Sequence, residues 1–118
     1  MITREQALQF AQAWVNAWNS HDLEAVLLHY TEDFEMSSPF IQQMGIAPSG
    51  TLKGKENVAA YWRKAMGKYP DLHFELHEVF SCVHTIIIYY DSVAGKKAAE
   101  FFELNAEGKV FRAMGHYD

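Results

Sequence analysis

A single cysteine, Cys82, rules out an internal disulfide, and no Cys/His grouping has the spacing of a structural zinc site. Three prolines and seven glycines leave no Pro- or Gly-rich linker, and no repeat or low-complexity stretch interrupts the chain. Positive charge is scarce. Ten Lys and Arg face 15 Asp and Glu, a formal charge of -5 with a pI near 5.6, and the basic residues gather in no more than pairs, such as Lys53/Lys55, Arg63/Lys64 and Lys96/Lys97. A nucleic-acid partner, which needs a phosphate-tracking surface, is therefore not expected. Long apolar runs are missing as well. None is longer than Ile86 to Tyr90, too short for a membrane span, and Arg4 and Glu5 interrupt the start where a signal peptide needs its apolar segment. The expectation is a soluble, cytoplasmic protein with no membrane partner.

Aromatic residues are plentiful. Eight Phe, six Tyr and three Trp make 14% of the 118 residues, more large apolar side chains than a small core consumes. A cavity or a partner surface takes the excess. The length fits one domain over residues 1–118, and size scaling buries roughly two-thirds of the unfolded surface without staples.

The apolar period changes once along the chain. Thr3 with Gln6 reads as a capping box, and Ala7, Leu8, Ala11, Trp14, Val15 and Trp18 recur at helical spacing, so a helix is predicted over about 4–18. After caps in Asn19 to Asp22, Leu23, Val26, Leu27 and Tyr30 continue the period as a short second helix ending near Tyr30. Residues 33–38 alternate as a strand until Pro39, and residues 39–54, with two prolines and three glycines, read as a long loop. Val58, Ala59, Trp62, Ala65 and Met66 give a third helix over 55–66. Beyond Pro70 the period is two: Leu72, Phe74 and Leu76 alternate with polar residues, Thr85 to Tyr90 is β-branched and aromatic, and strands are predicted near 97–104 and 110–117. The fold class is α+β, three helices covering one face of a curved, mainly antiparallel sheet. Apolar residues on both parities of the late strands, such as Phe101 with Phe102, suggest that the other face meets a partner, most economically a second copy in a homodimer.

These segments resemble a known family. Ala13 to Leu23, His29-Tyr30-Thr31-Glu32-Asp33-Phe34, Ser38-Pro39, Gly54-Lys55-Glu56 with Tyr61-Trp62, Pro70-Asp71, Gly108-Lys109-Val110 and His116-Tyr117-Asp118 stand in the order and spacing of the SnoaL-like branch of the nuclear transport factor 2-like superfamily. The resemblance covers almost the whole chain and implies a cone-shaped α+β fold, usually homodimeric, with an apolar pocket between helices and sheet. It does not fix the reaction, since such relatives include isomerases, cyclases, dehydratases, epoxide hydrolases and non-catalytic binders. Ketosteroid isomerases, similar in these segments, imply three functional positions. Their helix tyrosine is replaced by Trp14 and their catalytic aspartate by Ser38, while their second carboxylic acid lands on Glu100. One aspartate of the epoxide hydrolases falls on Gly115. The cyclases use late-strand acid-base residues, for which His116 or Asp118 can be proposed.

Glu100 lies in the apolar strand Ala98-Ala99-Glu100-Phe101-Phe102, where desolvation pushes a carboxyl group toward its neutral form. It is the candidate general acid; the alternative is a sheet-face Glu paired with a Lys or Arg. His116 is the candidate proton shuttle, or else fills the dimer face. Ser38 shares strand parity with Phe34 and Met36 at the cavity mouth and reads as a turn cap before Pro39 more readily than as a nucleophile. Trp14, Trp18, Tyr61, Trp62, Met36, Phe40 and Met44 form a lining set, with Tyr117 also a candidate ligand contact.

His73 and His77 are four apart on a strand, about 13 Å, too far to share one ion, so no metal is expected. Cys82 reads as a buried, inert thiol. Gly45 and Gly50 have phosphate-loop spacing but no following Lys-Ser or Lys-Thr. The expected ligand is thus a small apolar or aromatic molecule bound without cofactor. Three functions stay open: an isomerase, lyase or cyclase working by proton transfer, a non-catalytic binder, and a protein-interaction module.

Overall fold

The computed structural model describes residues 1–118. Helix α1 (Arg4–Asn19) begins with the capping box, Thr3 accepting from the Gln6 N–H while the Gln6 side chain accepts from the Thr3 N–H. Its apolar stripe, Ala7, Ala11, Trp14, Val15 and Trp18, is buried. Asp22 caps α2 (Leu23–Leu27), which is shorter than the periodicity suggests, because Tyr30 already opens strand β1 (Tyr30–Ser37).

The helix count is four, not three. Ser38 accepts from the Phe40 N–H and Pro39 occupies the first helical position, so the segment expected to be all loop contains α3 (Pro39–Gln43) and a short strand β2 (Thr51–Lys53). Proline ends the β ladder, but its fixed φ and missing N–H also suit a first helical turn. Helix α4 (Lys55–Lys68) buries Val58, Ala59, Tyr61 and Trp62.

Strand β3 (Glu75–Ser81) starts later than the alternation suggests. Phe74 lies outside the ladder because the Asn19 side chain takes both its backbone groups, accepting from its N–H at 2.6 Å and donating to its carbonyl at 2.9 Å. Strands β4 (Thr85–Asp91), β5 (Lys97–Leu104) and β6 (Val110–Tyr117) follow, with a tight turn at Val93–Gly95.

The sheet has the order β2-β1-β6-β5-β4-β3, antiparallel except where β1 runs parallel to β6. Register aligns residues in rows across it. Val79, Ile88, Glu100 and Gly115 form one row on the helix-covered face, and Tyr90, Ala98 and Tyr117 form the next inward row. One residue out of phase, Phe80, Ile87, Phe101 and Met114 make an apolar row on the opposite face. Phe80 is 57% and Ile87 40% exposed, so that face is uncovered in the single chain. Cys82 is exposed at the β3–β4 turn, not buried, because the strand ends at Ser81 and the apolar alternation ends with it. No helix is long and apolar enough to cross a membrane.

Candidate functional site

Helices and sheet part at one end of the core to leave a cavity of about 260 Å³. Its walls are set by the periods already described. Trp14 and Trp18 lie one helical turn apart on α1, Tyr61 and Trp62 come from α4, and Met36 projects inward from β1. Phe40 and Met44 enter from α3 and its C-cap. The aromatic rings pack on one another edge-on, tilted or stacked: Trp18 meets Trp62 with centroids 5.2 Å apart at 80°, Phe40 meets Tyr117 at 4.4 Å, and Trp14 stacks on Phe74 at 5.7 Å. Trp14 is locked further by its indole N–H, which donates to the Tyr30 hydroxyl at 2.9 Å. The Trp18 indole N–H is buried without a hydrogen-bond partner.

Glu100 is the one carboxyl group in this lining and is 2% exposed. Strand alternation turns it toward the helices while Phe101 turns away. No Lys, Arg or His forms an ion pair with it, and its Oε1 accepts from the Tyr90 hydroxyl at 3.3 Å. Strong O–H···O⁻ bonds are about 2.5–2.7 Å long, so this one compensates little for lost water. Desolvation wins, and burial pushes the Glu100 carboxyl up to about 8, against a small downward pull from Tyr90. Near neutral pH the group is mostly a neutral acid, able to donate.

The surrounding phenols stay neutral too. Burial raises Tyr90 and Tyr117 well above the usual phenol value and raises Tyr61, with the nearby Glu100 charge adding to each. Tyr117 sits against Tyr90 and Ser38. Opposite Glu100 on β6 stands Gly115, whose missing side chain is what gives the carboxyl room: a Cβ there would lie 3.1 Å from both Glu100 Oε1 and the Tyr117 hydroxyl. The position that holds an aspartate in one resemblance is here the space occupied by the acid itself.

The structure therefore places Trp14, Trp18, Met36, Phe40, Trp62, Glu100 and Tyr117 around one cavity. Ser38 is buried behind it, capping α3 and lying against Tyr61 and Tyr117. His116 is not brought to Glu100. It is exposed on the far face of β6, its Nδ1 3.2 Å from the Ala99 carbonyl, because residues 115 and 117 point inward and the residue between them cannot. Asp118 lies outside the cavity as well, accepting from the Lys97 N–H at 2.9 Å.

Sequence reasoning missed Tyr90, Phe74 and Tyr69 as liners. Tyr90 was detectable in principle, since it shares parity with Ile86 and Ile88. Only the register that pairs it with Ala98 brings it beside Glu100. No group of three or more His, Cys, Asp or Glu residues is arranged to hold a metal ion.

Comparison with known proteins agrees with this architecture. Residues 11–118 match the model of the SnoaL-like domain. A SnoaL-like protein of unknown function from Burkholderia thailandensis is 46% identical over 99% of this chain and 98% of its own, with a TM-score of 0.96. A protein from Agrobacterium tumefaciens, provisionally described as an isomerase of the SnoaL-like family, is 21% identical over 97% of this chain and 98% of its own, with a TM-score of 0.76. One from Kribbella flavida, provisionally described as a ketosteroid isomerase, is 15% identical over 97% of this chain and 78% of its own, with a TM-score of 0.73. The last two likenesses speak for the fold alone. No curated protein matches the sequence. With the domain model spanning all but the first ten residues and the six-stranded mixed sheet under four helices in place, the chain belongs to the SnoaL-like family.

Proposed function

We propose that the cavity takes a small apolar or aromatic molecule bearing a carbonyl or hydroxyl oxygen, and that Glu100, as a neutral acid, donates to that oxygen. The observation that carries this is a carboxyl group buried in an aromatic cavity with no cationic partner. Such a group costs several kcal/mol to ionise, whereas as an acid it supplies a donor aimed into a site of low dielectric constant. Charge that develops on a substrate oxygen is stabilised there, with the Tyr117 and Tyr90 phenols close by. The fitting chemistry is a cofactor-independent isomerisation, elimination or cyclisation that passes through an enolate-like species, the carbon-bound proton passing to a water molecule because the lining supplies no carboxylate or histidine base.

A second reading, binding without turnover, is favoured by one observation. Glu100 has no second carboxylate or histidine across the cavity to act as base, and Ser38 occupies the position where the isomerase resemblance puts one. The two readings separate on a β,γ-unsaturated ketone such as 3-cyclohexenone. Conversion to the conjugated enone, followed by ultraviolet absorbance and abolished in Glu100→Leu, which has no donor, supports catalysis. Saturable binding that weakens in Glu100→Leu without conversion supports the binder, and affinity unchanged by that substitution defeats both. A second copy of the chain is proposed to cover the Phe80, Ile87, Phe101 and Met114 row, forming a homodimer.

A further inference from the structure

The sign of charge reverses at the cavity. The chain carries an excess of acid, 15 carboxylates against ten cations, yet the charged residues lining this space are Lys68, Lys96 and the acid Glu100. We propose that the ligand is an amphipathic anion, an apolar or aromatic carboxylate of one or two rings, with its charge held at the rim by Lys68 and Lys96. Its apolar body then lies among Trp14, Trp18 and Trp62. This rests on the reading of the cavity as a ligand site and adds the ligand's charge and orientation.

Two unrelated elements deliver the lysines. Lys68 is in the last turn of α4, and Lys96 closes the turn between β4 and β5. That turn is tied by the Ser92 N–H donating to the Lys96 carbonyl at 2.7 Å and the Lys96 N–H donating to the Val93 carbonyl at 3.1 Å, and it holds Ala94 at a φ of 56°, a conformation costly for a residue with a Cβ. Helix-dipole complementarity accounts for a cation at Lys68 but not at Lys96.

Neither lysine has a carboxylate within ion-pair distance, so no internal partner competes for an anion there. The Lys68 Nζ lies over the Tyr69 ring, 5.6 Å from its centroid. The rim also opens into a shallower hollow of about 310 Å³ that shares Lys68, Tyr69, Leu72, Ser92 and Val93 and includes the exposed Asp71 and His73. An anion at this junction keeps part of its hydration and avoids the cost of full burial. At the closed end the acid form of Glu100 does not repel it. At about 260 Å³ the cavity falls below the roughly 300–1,000 Å³ range of sites for drug-sized ligands, which sets the ligand's modest size.

The test compares 4-phenylbutyrate with its neutral isostere 4-phenylbutyramide by calorimetry at neutral pH. Tryptophan emission reports location, since all three tryptophans of the chain line the cavity. The wild type is expected to prefer the acid by about fivefold, a preference lost in K68Q/K96Q and suppressed in 0.5 M NaCl. Equal or tighter binding of the amide by the wild type, or a preference that survives in K68Q/K96Q, overturns the proposal while leaving the cavity as a ligand site. If neither compound alters tryptophan emission at millimolar concentration, the ligand-site reading falls, and this one with it.

Discussion

Replacing Glu100 with Gln keeps the shape of the side chain and removes its titration, and the consequence for stability has a definite sign. The carboxyl titrates at about 8 in the folded protein against an ordinary value of 4.5. Between those values the folded chain holds a proton that the unfolded chain has released, so stability falls as pH rises. The contribution is fully present below 4.5 and is gone above about 8. At about 1.4 kcal/mol per pH unit the whole span is about 5 kcal/mol, with more than half lost by pH 7. The Glu100→Gln variant carries no such dependence, because an amide does not titrate in this range. Urea unfolding monitored by the buried tryptophans, run from pH 4.5 to 9 on both proteins, should give a difference curve that grows with pH in favour of Glu100→Gln and levels off near pH 8 to 9. Taking the difference cancels every other titrating group. A carbon-detected NMR titration of the Glu100 carboxyl reads the same property directly. A midpoint near 4, or parallel pH curves for the two proteins, would refute the argument that burial without compensation governs this group.

Further outcomes follow from the packing around the site. Gly115→Ala places a methyl group 3.1 Å from Glu100 Oε1 and the Tyr117 hydroxyl, and should cost about 1–3 kcal/mol in urea unfolding and weaken ligand binding; unchanged values in both would mean the carboxyl is not confined as described. Trp14→Phe strips the Tyr30 hydroxyl of its buried donor and should destabilise by about 1–3 kcal/mol, with Tyr30→Phe in the same chain recovering part of the loss; a strictly additive double variant would count against the pair. Light scattering at micromolar concentration should give about twice the chain mass of 13.5 kDa, and Phe101→Glu on the outer row should return it to one chain; a wild type that is already monomeric removes the proposed interface.

The elements that follow a single period were legible from residues alone. The stripe from Ala7 to Trp18 and the two late strands lie where periodicity puts them, because in each case burial on one face is the dominant local force. Errors fell where two rules compete at one residue. Pro39 both ends a ladder and opens a helix, and Phe74 has strand parity but spends its hydrogen bonds on Asn19. The site divides the same way. Glu100 stood out as a charge in an apolar strand. Its neighbours Tyr90 and Gly115 depend on register between strands, which no local pattern encodes. His116 and Tyr117 are adjacent in a strand, so only one of them faces the cavity, and the pattern alone does not say which until a neighbouring strand is placed.

The position of β6 has a consequence for how the sheet assembles. It is the latest strand in the sequence, yet it lies inside the sheet, joining β1 on one side to β5 on the other. Until β6 docks, β2-β1 and β5-β4-β3 are two separate pieces with open edges, and pairs such as Tyr30 with Val110 cannot form. The cavity lacks Gly115 and Tyr117 over the same interval. Any form of the chain in which β6 has not docked is therefore exposed to edge pairing with other chains. A molecule that needs the complete cavity would bind only the form with β6 in place, and so would report that the sheet has closed.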